Sequence, residues 1–310
     1  MAPEGRPAGV FLLLGPSGTG KTKTVESLAA VLHGSEKNVL KVDCGEFQLE
    51  HEVAKLIGAP PGYLGHRETQ PLLSQAKLNG VTSERSSLAV VLFDEIEKAA
   101  PSMTRLLLGV LDKATLRLGD NNTVNFERAL IFLTSNLGAR EMARTIQPGF
   151  GYEALGVVQP AEAIAARLER IGQHAVKRKF APEFINRIDS VVTYRPLDAG
   201  SLEAILDMNL EEFQRLVHMR LGPAGFDVVV SPEARRFLLE RGVSQEYGAR
   251  ELKRTLHRHL IQPLASRVAR GMVPAGSTVT VGAEADEALS FELEPPPARR
   301  RKLSIVGDRD

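Results

Sequence analysis

A chain of 310 residues is long enough for two domains, and its composition, 43% hydrophobic and 25% charged, is ordinary for a soluble protein. A formal net charge of +1 gives no electrostatic reason to expect a nucleic-acid or membrane partner, and a single cysteine, Cys44, excludes an internal disulfide and fits a reducing compartment. The longest apolar runs, Val10–Leu14 and Leu88–Phe93, fall far short of a membrane span, and the stretch before the first run, with Glu4 and Arg6, does not suit a signal peptide, so a cytoplasmic protein is expected.

Residues 1–9 are rich in Pro and Gly and read as a lead-in. Val10–Leu14 is a continuous apolar run ending at Gly15, the pattern of a buried parallel strand. A glycine-rich turn and a helix over about 21–32 follow. Further strands are expected at Val39–Asp43, Leu88–Phe93, Ala129–Ser135 and Ser190–Tyr194, with helices near 50–57, 70–79, 99–112 and 161–179. Apolar strands alternating with helices predict a parallel sheet covered on both faces. The character changes after Pro196, where a domain boundary is placed. Beyond it come a helix over Leu202–Leu221, a strand at Phe226–Val230, and a helix start with Ser231 as N-cap and Pro232 in the first turn. A long helical stretch over Glu246–Arg270 and strands at Ser277–Val281 and Leu289–Leu293 complete the domain. Residues 294–310, Pro-rich and charged, read as a disordered tail.

Gly15-Pro16-Ser17-Gly18-Thr19-Gly20-Lys21-Thr22 fits G-x-x-x-x-G-K-[ST] and stands where its mechanism needs it, between an apolar strand and a helix. The glycines let backbone N–H groups turn toward phosphate oxygens, and the helix adds its positive N-terminus. Lys21 would reach the β- and γ-phosphates of ATP, and Thr22 would place its hydroxyl on Mg²⁺. Asp94 and Glu95 follow the strand LAVVLF directly. At the carboxyl end of a parallel strand they lie beside the phosphate loop. There Asp94 would hold Mg²⁺ through water and Glu95 would polarise the attacking water as general base.

Six segments in order, GPSGTGKT (15–22), LIGAPPGYLG (56–65), VVLFDEIEKA (90–99), LTSNLG (133–138), FAPEFINRID (180–189) and YGARELKR (247–254), resemble the second ATPase module of Clp-type AAA+ unfoldases and disaggregases. The resemblance implies a P-loop AAA+ domain over 10–196, α/β, with a five-stranded parallel sheet sandwiched by helices. A smaller, mainly helical domain with a short β-sheet follows over 197–293. It further implies that Asn136 is the sensor of the γ-phosphate and attacking water, and that Arg250 is a second sensor. Arg187 would be an arginine finger projecting into a neighbouring subunit's site; its alternative is a surface pair with Asp189. Gly62, Tyr63, Leu64 and Gly65 match the pore loop that grips a translocating polypeptide. The glycines would make that loop mobile, and the aromatic offers sequence-tolerant contact area. Gly119–Phe126 resembles the secondary pore loop and also reads as a plain hairpin turn.

The function so implied is an ATP- and Mg²⁺-dependent motor in a hexameric homo-oligomer, threading unfolded or aggregated protein. The segment 146–151, IQPGFG, lies where protease-coupled members carry a docking tripeptide; its spacing departs from theirs, and coupling to a ClpP-like protease stays open. The chain also departs from the family in starting almost at the first strand, before which family members carry a helical segment over the adenine. It has Ala100 where the family often has His, and DCGEF at 43–47, whose Cys44 reads as a small buried residue. A second reading is a nucleotide-gated regulatory or scaffolding module. A third, a DNA-remodelling AAA+ protein, is disfavoured by the near-neutral charge.

Overall fold

The computed structural model describes residues 5–58, 71–146, 161–242, 248–284 and 288–295. Gly62, Tyr63, Leu64, Gly65, nearly all of 146–151, Tyr247 and all but the first two residues of the 294–310 tail therefore lie outside the described residues. The chain divides into two compact units, Met1–Pro196 and Leu197–Asp310.

In the first unit five strands form one parallel sheet: β1 (Gly9–Leu14), β2 (Leu40–Asp43), β3 (Ala89–Asp94), β6 (Ala129–Ser135) and β7 (Ser190–Thr193). Their spatial order is β2-β3-β6-β1-β7, so the five-stranded parallel sheet expected from the apolar runs is present. Alternation along the strands splits the core into two layers. Val10, Leu12, Leu14, Val91, Phe93, Ile131 and Leu133 pack on one face. Leu13, Val90, Leu92 and Phe132 pack on the other, with Val25 and Ala29 of helix α1 (Lys21–His33). A strand buried on both faces has no position for a polar residue to reach water, which is why these segments read as nearly unbroken apolar runs.

Between β2 and β3 lie two short helices, α2 (Ala54–Ile57), preceded by a 3₁₀ turn at Glu50–Val53, and α3 (Gln75–Gly80). The second is shorter than the 70–79 reading because Ser74 caps it, accepting the Lys77 N–H at 3.4 Å. Helix α4 (Pro101–Lys113) starts two residues later than expected, since Ala100 precedes a proline and stays extended. It buries Met103, Leu107, Val110 and Leu111, one face at helical spacing, and stops at Ala114 in a left-handed turn. The GDNNTVNF segment closes a two-stranded hairpin, β4 (Thr115–Arg117) with β5 (Thr123–Asn125). Helix α5 (Ala139–Ile146), not anticipated from the sequence, follows β6. Helices α6 (Ala161–Lys179) and α7 (Pro182–Ile185) lead into β7.

The second unit opens with α8 (Ala199–Leu221), capped by Asp198, whose carboxylate accepts the Ser201 N–H at 2.8 Å. Strand β8 (Asp227–Val230) leads to α9 (Pro232–Gly242), and Ser231 caps it as expected, its Oγ accepting the Ala234 N–H at 3.2 Å. The long stretch read as one helix is α10 (Ala249–Leu256), a π-helical turn at His257–Ile261, and α11 (Gln262–Ala269). Pro263 explains the interruption: it has no N–H for the carbonyl four residues back, and a wider turn relieves the clash of its ring. Strands β9 (Thr278–Glu284) and β10 (Ala288–Glu294) are antiparallel, and β9 runs parallel to β8, giving a three-stranded sheet. Leu238, Leu252, Leu256, Leu260 and Val281 are fully or almost fully buried in this unit's own core.

Candidate nucleotide site

Three neighbouring strands, β3, β6 and β1, end at the same level, and each end carries a residue predicted for the site. Leu13 pairs with Thr134 and Leu14 with Ser135, while Phe93 pairs with Leu133. The turn after β1 therefore stands beside Asn136, and both stand beside Asp94 and Glu95.

The loop after β1 is shaped by glycine. Gly15 has φ +146°, and a Cβ there would lie 2.7 Å from the Tyr194 carbonyl oxygen, so the chain can pass only without a side chain. Gly18 and Gly20 are left-handed at φ 74° and 94°. The Thr19 hydroxyl donates to the Pro16 carbonyl at 2.9 Å, closing the loop on itself. Lys21 is 7% exposed. Its Nζ donates to the Gly15 carbonyl at 2.7 Å, the Pro16 carbonyl at 2.8 Å and Asn136 Oδ1 at 2.9 Å. Helix α1 begins here with no side-chain cap bond and no acidic residue in its first turn. A buried ammonium at an uncapped helix N-terminus suits a polyanion.

The acids are held just as closely. The Thr22 hydroxyl lies 3.4 Å from Asp94 Oδ2. The Thr134 hydroxyl donates to Asp94 Oδ1 and accepts the Glu95 N–H at 3.0 Å. Glu95 adopts a left-handed conformation, φ 55° and ψ 49°. Its Oε1 accepts from Asn136 Nδ2 at 3.0 Å, and its Oε2 accepts from Lys98 Nζ at 2.5 Å, which raises the Lys98 pKa. Glu97 accepts the Asn136 N–H at 3.0 Å. Below this group Cys44 is wholly buried; burial, then the charges of Asp43, Asp94, Glu97 and Glu95, push its thiol pKa far up, so it stays protonated. It is the small packed residue the sequence suggested. Thr134, Glu97 and Lys98 were not singled out from the sequence, although all three lie inside the quoted motifs.

Among the described residues no cluster of three or more His, Cys, Asp or Glu could hold a metal ion by itself. One hydroxyl and one carboxylate, Thr22 and Asp94, nevertheless fit Mg²⁺, which takes few protein ligands and completes its shell with water and substrate phosphates. A lone Asp with a Thr hydroxyl, beside a buried lysine, is a donor set of that kind.

Arg187 is elsewhere. It follows α7 and precedes β7, at the amino end of the sheet, where the Asp189 N–H donates to the Val10 carbonyl at 2.9 Å. The run along β1 from Val10 to Gly15, roughly 16 Å at about 3.3 Å per residue, separates it from its own phosphate loop. The alternative pairing with Asp189 is corrected. Asp189 accepts the Val10 N–H at 2.8 Å and faces Arg6 at 3.7 Å, whereas Arg187 Nε meets Asp112 Oδ1 of α4 at 3.0 Å. Arg250 lies in the first turn of α10 in the second unit, on an exposed position.

Comparison with known proteins agrees with this geometry. Residues 6–191 match the family model described as AAA domain (Cdc48 subfamily), and residues 197–281 match the model of the C-terminal, D2-small domain of ClpB protein. The chain belongs to the Clp-type AAA+ ATPases. Within that family it corresponds to a D2 module with its small domain. It is 40% identical over 290 residues to chaperone protein ClpB of Meiothermus ruber and 37% identical over 287 residues to that of Rhizobium meliloti (strain 1021), covering 94% and 93% of this chain. It spans about a third of the length of these Clp relatives, 31% and 30%. A closed-state reconstruction of Hsp104 with ATPγS and FITC casein is similar over 94% of this chain and 46% of that one, with TM-score 0.74 and 29% identity. As in any AAA+ ATPase, the site is one for nucleotide. No helix among the described residues is long and apolar enough to cross a membrane.

Proposed function

We propose that the chain hydrolyses ATP at the interfaces of a hexameric ring and uses the work to unfold or disaggregate protein in the cytoplasm. One observation carries this reading: Lys21, Thr22, Asp94, Glu95 and Asn136 converge at the adjacent ends of three strands. A pure binding module needs the lysine and the loop. It has no use for a carboxylate held beside the sensor amide.

In this reading Gly15, Pro16, Ser17, Gly18, Thr19 and Gly20 wrap the triphosphate, and Lys21 turns from the loop carbonyls to its β- and γ-oxygens. Thr22 and Asp94 hold Mg²⁺, which when bound neutralises charge on those oxygens. Glu95 accepts the proton of the attacking water, and Asn136 fixes that water and the γ-phosphate together. Arg187 cannot serve its own chain from the far end of the sheet, so it is assigned to the neighbouring subunit, where a guanidinium offsets charge developing in transfer. Arg250 reports the γ-phosphate to the small domain. Gly62, Tyr63, Leu64 and Gly65 contact the moving polypeptide. The Hsp104 reconstruction contains casein, in keeping with a protein substrate for this chain.

The expected result with Tyr63→Ala is ATP turnover within about twofold of the parent, with protein unfolding lost. A fluorescent protein substrate read alongside phosphate release measures both. Unfolding at the parent rate in that variant would remove the threading mechanism and leave the ATPase assignment standing.

A further inference from the structure

We infer that Thr134 is a positioning residue of the hydrolytic site, setting Asp94 and Glu95 relative to each other through one hydroxyl. The inference rests on the reading of Asp94 and Glu95 as the magnesium-holding and water-activating acids.

Thr134 is 1% exposed, in a strand otherwise made of apolar side chains until Ser135. Packing alone would be served equally by valine, which has the same shape and suits a strand as well. A hydroxyl at this depth costs free energy unless it is hydrogen-bonded. Here it has two partners, and both belong to the site. The Glu95 N–H donates to Thr134 Oγ1, so the one hydroxyl proton is left for Asp94 Oδ1. That assignment has two consequences. Engaging Oδ1 leaves Asp94 Oδ2 as the oxygen facing the Thr22 hydroxyl, where the metal would be held. At the same time the N–H of Glu95 is anchored, while the Glu95 carbonyl accepts the Lys98 N–H at 2.9 Å.

Those two bonds hold a non-glycine residue in a left-handed conformation, φ 55° and ψ 49°. Such a conformation persists only where neighbours impose it. It is this turn that brings Glu95 Oε1 to Asn136 Nδ2 at 3.0 Å. One buried hydroxyl thus fixes the metal-facing oxygen of one acid and the backbone from which the other acid projects.

The test uses the full chain, with Thr134→Val removing the hydroxyl at constant shape and Thr134→Ser restoring it. Thr134→Ala carries the same deletion should the valine variant not fold. The hydroxyl deletion is expected to lower kcat about 10- to 100-fold, with the KM for ATP·Mg²⁺ within about twofold, and Thr134→Ser recovers most of the rate. In the nucleotide-free chain, amide hydrogen exchange at Glu95 speeds up in Thr134→Val and returns toward the parent rate in Thr134→Ser. Adding Thr134→Val to Glu95→Gln costs less than Thr134→Val costs the parent, because the part of the effect that runs through Glu95 is already lost and only the part through Asp94 remains. Parent-level turnover in either hydroxyl-free variant overturns the inference. So does a rate loss matched by an equal loss of nucleotide affinity, or an unchanged exchange rate at Glu95. Full turnover in Glu95→Gln alone would instead sink the hydrolytic reading, which is how the two failures are told apart.

Discussion

Arg187→Ala is expected to lower ATP turnover by about 10³- to 10⁵-fold, equivalent to roughly 4–7 kcal/mol of barrier, with nucleotide binding retained. The size follows from where the residue acts. Its guanidinium is half-exposed and loosely paired with Asp112, so its removal costs the fold little. It stands a strand's length from its own phosphate loop, so in the proposed ring its effect is expected on a neighbouring subunit. Lysine in its place restores charge without the planar fork and recovers little. Phosphate release measured against protein concentration, with sedimentation to confirm assembly, separates loss of catalysis from loss of the ring. A more selective arm mixes Arg187→Ala with Glu95→Gln. Each is inactive alone, but a mixed ring pairs intact Glu95 on one subunit with intact Arg187 on its neighbour, and turnover returns. Absence of any recovery on mixing, in rings shown to be mixed, contradicts catalysis across the interface.

Glu95→Gln keeps the shape of the side chain and an oxygen to accept from Asn136 Nδ2, but removes the carboxylate proposed as proton acceptor. A positioned general base contributes about 10²- to 10⁴-fold, and that is the expected fall in turnover. Affinity for ATP·Mg²⁺ stays near the parent value, because Lys21, Thr22 and Asp94 are untouched. Single-turnover hydrolysis with binding measured in parallel reads both quantities. A fall in affinity that accounts for the whole loss of rate would make Glu95 a binding residue instead of a base.

What the sequence showed and what it hid divide along a physical line. The phosphate loop was legible because its chemistry is contiguous: eight residues between a strand and a helix contain the glycines, the lysine and the hydroxyl together. Asp94 and Glu95 were legible only beside that loop: many strands end in acidic residues, and this apolar run ending in two acids gained its meaning by standing downstream of the phosphate loop. The links among these parts were not. Thr134 meets Asp94 and Glu95 only because β3 and β6 pair in one particular register, each residue with the one 40 positions on, and such a register is written in the whole core, not in any motif.

The pairing of Arg187 failed for the same reason. Asp189 is the nearest acid in the sequence, but it is taken up at the start of β1, where it accepts the Val10 N–H. The acid that Arg187 meets, Asp112, is distant in sequence and comes close through the packing of α4 near α7. The π turn before Pro263 was foreseeable in kind, since a proline inside a helical stretch must disturb it. Its outcome, a widened turn in place of a break, depends on Leu256, Leu260 and Leu264 all staying in the core on either side. Helix α5 gave little signal because its sequence, AREMARTI, is short and charged, and among its described side chains Met142 is the fully buried apolar one.

All of this depends on one triphosphate being gripped by the β1 loop and the tips of β3 and β6 together. Titration calorimetry of the folded chain with a slowly hydrolysed ATP analogue and Mg²⁺ measures that directly. The account predicts saturable heat at one site per chain, abolished by Lys21→Ala and weakened when Mg²⁺ is withheld. No heat from the parent chain, with circular dichroism showing it folded, would contradict it.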